Sequence, residues 1–249
     1  MRRLWPDPAD VDDVDALLAS DPRPAPPERP WLLVNMITSL DGSVAIAGRS
    51  GGLGAPADKA VFHGLRAIAD VVMAGAGTVR AEHYGRAKPT EEQRAARRSR
   101  GQEEVPRIAV VTRSADLDPS ARLFAEAGPL PIVLTCDAAP PERRRALEEV
   151  AEVVVAGHDD VDMAVALAEL RGLGASVVTC EGGPHLNGDL VAADLVDEWA
   201  LTLSPMLVGG TEGRAAIGPS PVDPRRFHLD RLLEGDGLLL GRWVRDRSR

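Results

Sequence analysis

Three short polar segments carry the side chains that could do chemistry, and each follows an apolar run. The best formed is Glu181-Gly182-Gly183-Pro184-His185-Leu186-Asn187. The preceding ASVVTC reads as a strand, Pro184 suits the first turn of a helix, and His185 to Ala193 has helical patterning. Free N–H groups and the positive dipole end at such a turn would face a ligand phosphate. A plain βα turn accounts for the glycines but gives no reason for an acid directly before them. Glu181 would stand at the strand's carboxyl end, where it could hydrogen-bond a substrate.

The second segment, Gly75-Ala76-Gly77-Thr78-Val79-Arg80, opens like G-x-G-x-x-G. Arg80 stands where the third glycine belongs, and no acid about 20 positions on closes a second strand, so an ordinary dinucleotide fingerprint is not supported. What remains is close backbone approach at the end of a strand, where α/β sheets bind ligands. The third segment, Asn35-Met36-Ile37-Thr38-Ser39-Leu40-Asp41-Gly42, closes an apolar strand with polar groups, and Asp41-Gly42 is a turn signal. All three lie at the ends of expected parallel strands, so one crevice could collect them.

The elements that must position these segments follow from the apolar runs. WLLVNMI, DVVMAG, RIAVVT, PIVLTC, VAEVVVAG and ASVVTC are apolar throughout, as strands covered on both faces must be, and helical patterns fall between several of them, including Pro56 to Ala69. That alternation predicts an α/β fold with a mostly parallel sheet. FHLDRLL-EGDG-LLLGRWV predicts an antiparallel hairpin at the C-terminal edge, turning at Asp-Gly, so the sheet is mixed. Val11, Val14, Leu17 and Leu18 predict an N-terminal helix over Asp10 to Ala19, and DPRPAPPERP a Pro-stiffened arm. The acids at this helix start lack the spaced ligands and turn glycine of a calcium loop. Arg86 to Arg107, dense in Arg and Glu, reads as a solvated excursion.

Of 249 residues, 29 are Lys or Arg and 38 are Asp or Glu, a net charge of −9 that disfavours nucleic acid and anionic membrane surfaces as partners. Aromatic residues are only 3% of the chain, so the core is expected to be aliphatic and a flat ligand to pack mostly against aliphatic walls. Cys136 and Cys180 stand alone, so no zinc site, other metal or disulfide framework is expected. With no signal-peptide pattern and no run approaching the roughly 20 apolar residues of a membrane span, a cytoplasmic location is expected.

NMITSLDGSVA, SGGLGAPADKAVFHGLRAIADVVMAGAGTVRAE and CEGGPHLNGDLVAADLVDEWALTLSPMLVGG together resemble the reductase domain of riboflavin biosynthesis, in its stand-alone actinobacterial form. The resemblance covers roughly Pro30 to Val244. It implies a dihydrofolate-reductase-like three-layer α/β/α fold and NADPH-dependent reduction of 5-amino-6-(5-phosphoribosylamino)uracil to its ribitylamino product. Hydride would reach C1 of the opened sugar, and the protein's work would be to hold donor and acceptor carbons together and exclude water. A homodimer is implied as well. Residues 1–29 are expected to form a helical, Pro-rich arm and 30–249 one reductase domain. The zinc deaminase signature, H-x-E with P-C-x-x-C, is not found, so deamination is expected of another protein.

By motif position, the resemblance implies backbone contact to the cofactor from Ile37, Gly52, Thr78 and the segment Gly183 to Asp189, with Gly182 beside it. Within that segment Pro184, His185, Leu186 and Asn187 are the cofactor positions, and Gly75 and Gly77 join them. Substrate positions are Ser50, Arg66 and Glu181, with Glu181 also the catalytic candidate. Arg66 has the planar fork suited to a sugar phosphate, although a helix arginine capping a carboxylate would read the same way. Thr112, Arg113 and Ser114 form a cation-plus-hydroxyl set that could select the 2′-phosphate of NADPH.

The sequence departs from the family at several positions. Asn35, a substrate position, and Glu82, a cofactor position, stand where the family often has Lys and Asp, and His83-Tyr84-Gly85-Arg86-Ala87-Lys88-Pro89 replaces a stretch with substrate-contacting Leu and Arg. Arg86 or Lys88 could supply the missing phosphate contact, and His63 and His185 are candidates for proton delivery. The altered stretch leaves dihydrofolate-type reduction of a pterin as an alternative, and a silent NADP-binding protein as another.

Overall fold

The computed structural model describes residues 1–211, 213–219 and 223–247. In chain order the strands are β1 (Arg2–Trp5), β2 (Ala9–Asp10), β3 (Trp31–Thr38), β4 (Val71–Gly75), β5 (Arg107–Val111), β6 (Ile132–Thr135), β7 (Glu152–Val155), β8 (Val177–Cys180), β9 (Glu198–Leu203), β10 (Phe227–Gly235) and β11 (Leu238–Arg245). The helices are α1 (Val14–Ser20), α2 (Pro56–Ile68), α3 (Ala76–Ala81), α4 (Glu91–Ser99), α5 (Arg122–Ala125), α6 (Pro141–Glu148), α7 (Met163–Gly172) and α8 (Pro184–Ala192).

Among the described residues, the strands form one sheet in the order β2-β1-β10-β11-β9-β3-β8-β4-β5-β6-β7. From β9 to β7 every pairing is parallel; from β9 outward through β11, β10, β1 and β2 every pairing is antiparallel. The side chains of β3 and β4 alternate between faces. Leu32, Val34, Val71 and Met73 pack with α7 and α8, whereas Leu33 packs with α1 and α2, and Val72 and Ala74 with α3, α5 and α6. This is the three-layer α/β/α architecture the apolar runs demanded. Leu32, Leu33, Ile132 and Leu134 are fully buried, and each such side chain contributes about 1.5–3 kcal/mol of hydrophobic stabilisation.

The connection order creates the cleft. The chain passes from β3 through α2 to β4, leaving a gap that β8 fills only after β5, β6 and β7 have been laid down. The ends of β3, β8 and β4 are therefore side by side although β8 lies far along the chain.

At the C-terminal hairpin, Asp236 and Gly237 both have positive φ, 54° and 77°, as a two-residue primed turn requires. The hairpin is not the sheet edge that was expected. β1 and β2 lie outside it, and strands of only four and two residues carry too little periodicity to announce themselves. The first helix also begins later than its pattern predicts, at Val14, because Asp13 turns out of the helix and its carboxylate accepts from Ala16 N as the N-cap. The Pro-rich arm is clamped by ion pairs: Arg23 to Glu198, Arg29 to Asp197, and Asp21 to Arg231.

The Arg86–Arg107 excursion is a second correction. It contains α4, opened by a Thr90–Gln93 capping box, and Arg97 within it is 1% exposed. Arg97 donates to the carbonyls of Ala67, Ala69 and Glu103, satisfying the open end of α2. Burial pulls its pKa down to about 10. A charge run read as solvated thus holds one guanidinium that works as an interior helix cap.

Candidate active site

A cleft of about 980 Å³ opens over the carboxyl ends of β3, β8 and β4. Its wall takes Asn35, Met36 and Ile37 from β3, Glu181 and Gly182 from the end of β8, and Gly75 from β4. Backbone bonds extend the ladder past the strand ends: Glu181 N donates to Met73 O at 2.9 Å, and Gly75 N to Gly182 O at 2.8 Å. The peptide between Gly182 and Gly183 is cis. Gly182 has φ +84°, and a Cβ there would meet the Met36 sulfur at 3.2 Å. A Cβ on Gly183 would lie 2.9 Å from Thr78 Oγ1, so the two glycines let three segments converge.

Gly183 is the N-cap of α8 and makes no side-chain capping bond, and Pro184 has no N–H to satisfy. The N–H groups of His185 and Leu186, both residues of the cleft wall, have no intrahelical partner there, beside the positive end of the helix dipole, whereas Asn187 N already donates to Gly183 O. Despite the −9 charge of the chain, the cleft wall carries seven Lys or Arg side chains against five Asp or Glu. Local cations reverse the overall field where an anion would enter.

At the centre stands Glu181, its side chain 3% exposed. Arg66 Nε donates to Oε1 at 2.6 Å and Arg66 Nη2 to Oε2 at 2.7 Å, a bidentate fork across 115 residues of sequence. Tyr84 O–H donates to the same Oε2 at 2.6 Å. The Arg66 guanidinium also lies 4.3 Å from the centre of the Phe62 ring and 5.4 Å from that of Tyr84. Burial works against the Arg66 charge, but the Glu181 carboxylate outweighs it and raises the pKa above its ordinary value. Burial, and then the charge of Glu181, pushes the Tyr84 phenol well above its own, so it remains a donor.

One face of α2 lines the cleft. Asp58, Phe62 and Arg66 recur every four residues, with Lys59 and His63 beside them, and all five line the cleft. Burial raises the Asp58 carboxyl above its usual range. Opposite, Ser50 donates to Glu82 Oε1 through both its N–H, at 2.9 Å, and its hydroxyl, at 3.0 Å. A substrate candidate and a cofactor candidate are thus bonded to each other across the mouth.

The cleft brings together Asn35, Ile37, Ser50, Arg66, Gly75, Gly77, Thr78, Glu82, Thr112, Arg113, Ser114, Glu181, Gly182, Gly183, Pro184, His185 and Leu186. Gly52 and Asn187 are not on its wall. Gly52 faces Ile46, and Asn187 is fully buried, with Nδ2 bonded to Ala215 O at 2.7 Å, tying α8 to the 213–218 loop. Two aromatic side chains, Phe62 and Tyr84, line the cleft beside aliphatic ones such as Met36, Ile37 and Leu186. The i, i+4 spacing of Phe62 and Arg66 was the available signal for the first; Tyr84 had none beyond being the sole tyrosine. Cys180, directly before Glu181, is fully buried, and burial pushes its thiol up to about 12. Among the described residues, no three His, Cys, Asp or Glu side chains gather as a metal would require.

The sequence model of the RibD C-terminal domain family matches residues 30–236. The chain belongs to the RibD C-terminal domain family. This RibD C-terminal domain is 32% identical over 201 residues to the 2,5-diamino-6-ribosylamino-4(3H)-pyrimidinone 5′-phosphate reductase of Methanothermobacter thermautotrophicus, covering 78% of this chain and 87% of that one. It is 31% identical over 185 residues to the protein of the same name from Archaeoglobus fulgidus, covering 74% and 84%. Its fold matches the crystal structure of a pyrimidine reductase-like protein from Corynebacterium diphtheriae with a TM-score of 0.80 at 27% identity, covering 88% of this chain and 92% of that one. The described residues of this RibD C-terminal domain include no helix long and apolar enough to cross a membrane.

Proposed function

We propose that this chain is an NADPH-dependent reductase that converts the ribosylamino group of a pyrimidine 5′-phosphate to a ribitylamino group in riboflavin biosynthesis. The observation that carries the reading is the Arg66–Glu181–Tyr84 cluster standing directly before the glycine turn of α8, in a cleft of about 980 Å³, at the upper end of the range for ligand sites. The glycine cradle and the uncapped end of α8 fit the phosphates of a dinucleotide, with Thr112, Arg113 and Ser114 available for a 2′-phosphate. NADPH supplies a hydride. The chain's own residues bind and orient: Glu181 accepts from a sugar hydroxyl or amine, Arg66 holds Glu181 in place, and the Ser50–Glu82 contact helps cover the mouth.

That position of Arg66 changes its expected role. Its fork is already filled by Glu181, so it serves the carboxylate, and the cations free to take the sugar phosphate lie elsewhere on the wall. Arg86 lines that wall, and its Nε and Nη1 are buried without a hydrogen-bond partner, so it would take the phosphate by turning its guanidinium toward the cleft.

The names of the relatives favour one further substrate, the diaminopyrimidinone that still carries its 2-amino group. The deciding experiment follows NADPH oxidation with 5-amino-6-(5-phosphoribosylamino)uracil, with the 2,5-diamino compound and with dihydrofolate. Turnover of either pyrimidine phosphate is expected. Rapid turnover of dihydrofolate alone would overturn the reading, and cofactor binding with no turnover would make the chain a binding protein.

Gly183→Ala tests the cradle. Its Cβ would crowd Thr78 Oγ1, and NADPH affinity, read by fluorescence titration, is expected to fall about tenfold, equivalent to ~1.4 kcal/mol. Unchanged affinity would move the phosphates away from this turn.

The enzyme is further proposed to be cytoplasmic and homodimeric. Leu40, Met206, Leu207 and Leu239 are large exposed apolar side chains, and Leu40 N bonds to Met206 O, so two of them share one surface. Light scattering is expected to give twice the mass of 26.4 kDa.

A further inference from the structure

We propose that Tyr84 is a positioning residue, whose phenol fixes Glu181 so that one acceptor position, on Oε1, is left for a hydroxyl or amine of the substrate. The proposal rests on the reductase reading of the cleft.

A carboxylate offers about four lone-pair positions. Arg66 Nε takes one on Oε1, Arg66 Nη2 takes one on Oε2, and Tyr84 takes the second on Oε2. Oε2 is filled, and only Oε1 can receive another donor. Without the phenol, Oε2 would regain an open position, and water or a wrongly placed ligand group could occupy it. The Arg66 fork alone sets the plane of the carboxylate; the phenol sets which oxygen is free.

Tyr84 is itself held. Its N–H donates to Val79 O at 3.0 Å, and its ring packs partly buried against the cluster that contains Val79 and Ala87. Burial keeps the phenol protonated. The ring therefore delivers its O–H from a fixed place.

Tyr84→Phe removes the O–H and keeps the ring, its packing and its face toward Arg66. The phosphoribosylamino pyrimidine is titrated calorimetrically into NADP⁺-saturated wild type and variant, alongside steady-state kinetics. Substrate Kd and KM are expected to rise about tenfold in the variant while kcat stays within about threefold, the pattern of lost uniform binding. NADPH affinity and melting temperature are expected to match wild type. Unchanged Kd and KM would overturn the proposal whatever happened to the melting temperature, and so would an equal loss of NADPH affinity, which marks a purely structural role. A wild type that neither binds nor reduces the pyrimidine would instead overturn the reductase reading, and the proposal with it.

Discussion

Replacing Glu181 by alanine is expected to lower turnover at least about a hundredfold while leaving NADPH affinity within about threefold of wild type. The carboxylate is the one acidic group at the centre of the cleft bonded by three donors, and it directly precedes the glycine turn rather than forming part of it. Losing it removes the acceptor for the substrate and releases Arg66 and Tyr84, so the sugar would no longer be held in reacting geometry. Cofactor binding through the α8 turn and the Thr112–Ser114 set uses other atoms, and so the two measurements separate. Because the alanine leaves the Arg66 charge unpaired in a largely buried place, Glu181→Gln belongs in the same experiment. The amide keeps the shape and one acceptor oxygen, and it is expected to fall between wild type and alanine. A fully active alanine variant would take Glu181 out of the site.

The largest effect on stability is expected from Glu198→Ala, on the order of 3–5 kcal/mol, because it removes the buried carboxylate that Arg23 and Arg242 share and leaves them only Asp21 and Asp230. Glu198 is 1% exposed and accepts from Arg23 Nε and Nη2 at 2.9 Å, from Trp31 Nε1 at 3.1 Å and from Arg242 Nη2 at 3.2 Å. A chain of this size should lose about 10 °C in melting temperature. Burial raises the Glu198 pKa, but Arg23 and Arg242 outweigh it and hold the carboxyl below its ordinary range. Its folded value is thus lower than its unfolded value, so its contribution is complete above the unfolded pKa, about 4.3, and is lost as pH falls through the folded value. Melts at neutral and acid pH should show the gap between wild type and variant narrowing in acid. A constant gap would mean that the lost interaction is packing and not charge. The same variant removes two of the bonds that hold Arg23 and leaves it only its contacts to Leu18 and Asp21, so limited proteolysis within residues 21–29 should accelerate.

Local features of the site could be read directly. Glycines and a proline after an apolar run force a tight turn and a helix start, and an acid before them is conspicuous because a turn does not need it. Gly75, Gly77, Gly182, Gly183 and Glu181 reach the cleft wall for that reason. Asn187 sits in the same segment yet turns away, because a nine-residue helix has an inner face and position alone does not say which side chain occupies it. The Arg86–Arg107 stretch misled in the opposite sense: charge density predicted solvent throughout, but one long side chain, Arg97, could reach the open end of α2 and be buried there by three carbonyls.

The sequence by itself determined the layered α/β class, the mixed sheet, the hairpin at Asp236-Gly237 and the three polar strand ends, since each depends on neighbours a few residues apart. The tertiary structure decided which of those ends meet. β8 enters between β3 and β4 although it follows them by some hundred residues of chain, and no periodicity encodes such an insertion. It also decided that Arg66 and Tyr84 both serve Glu181. A helix arginine that grips a phosphate and one that grips a carboxylate look alike in sequence, and only the packing of α2 and the 82–85 turn against the end of β8 brings the carboxylate within 2.6–2.7 Å of both.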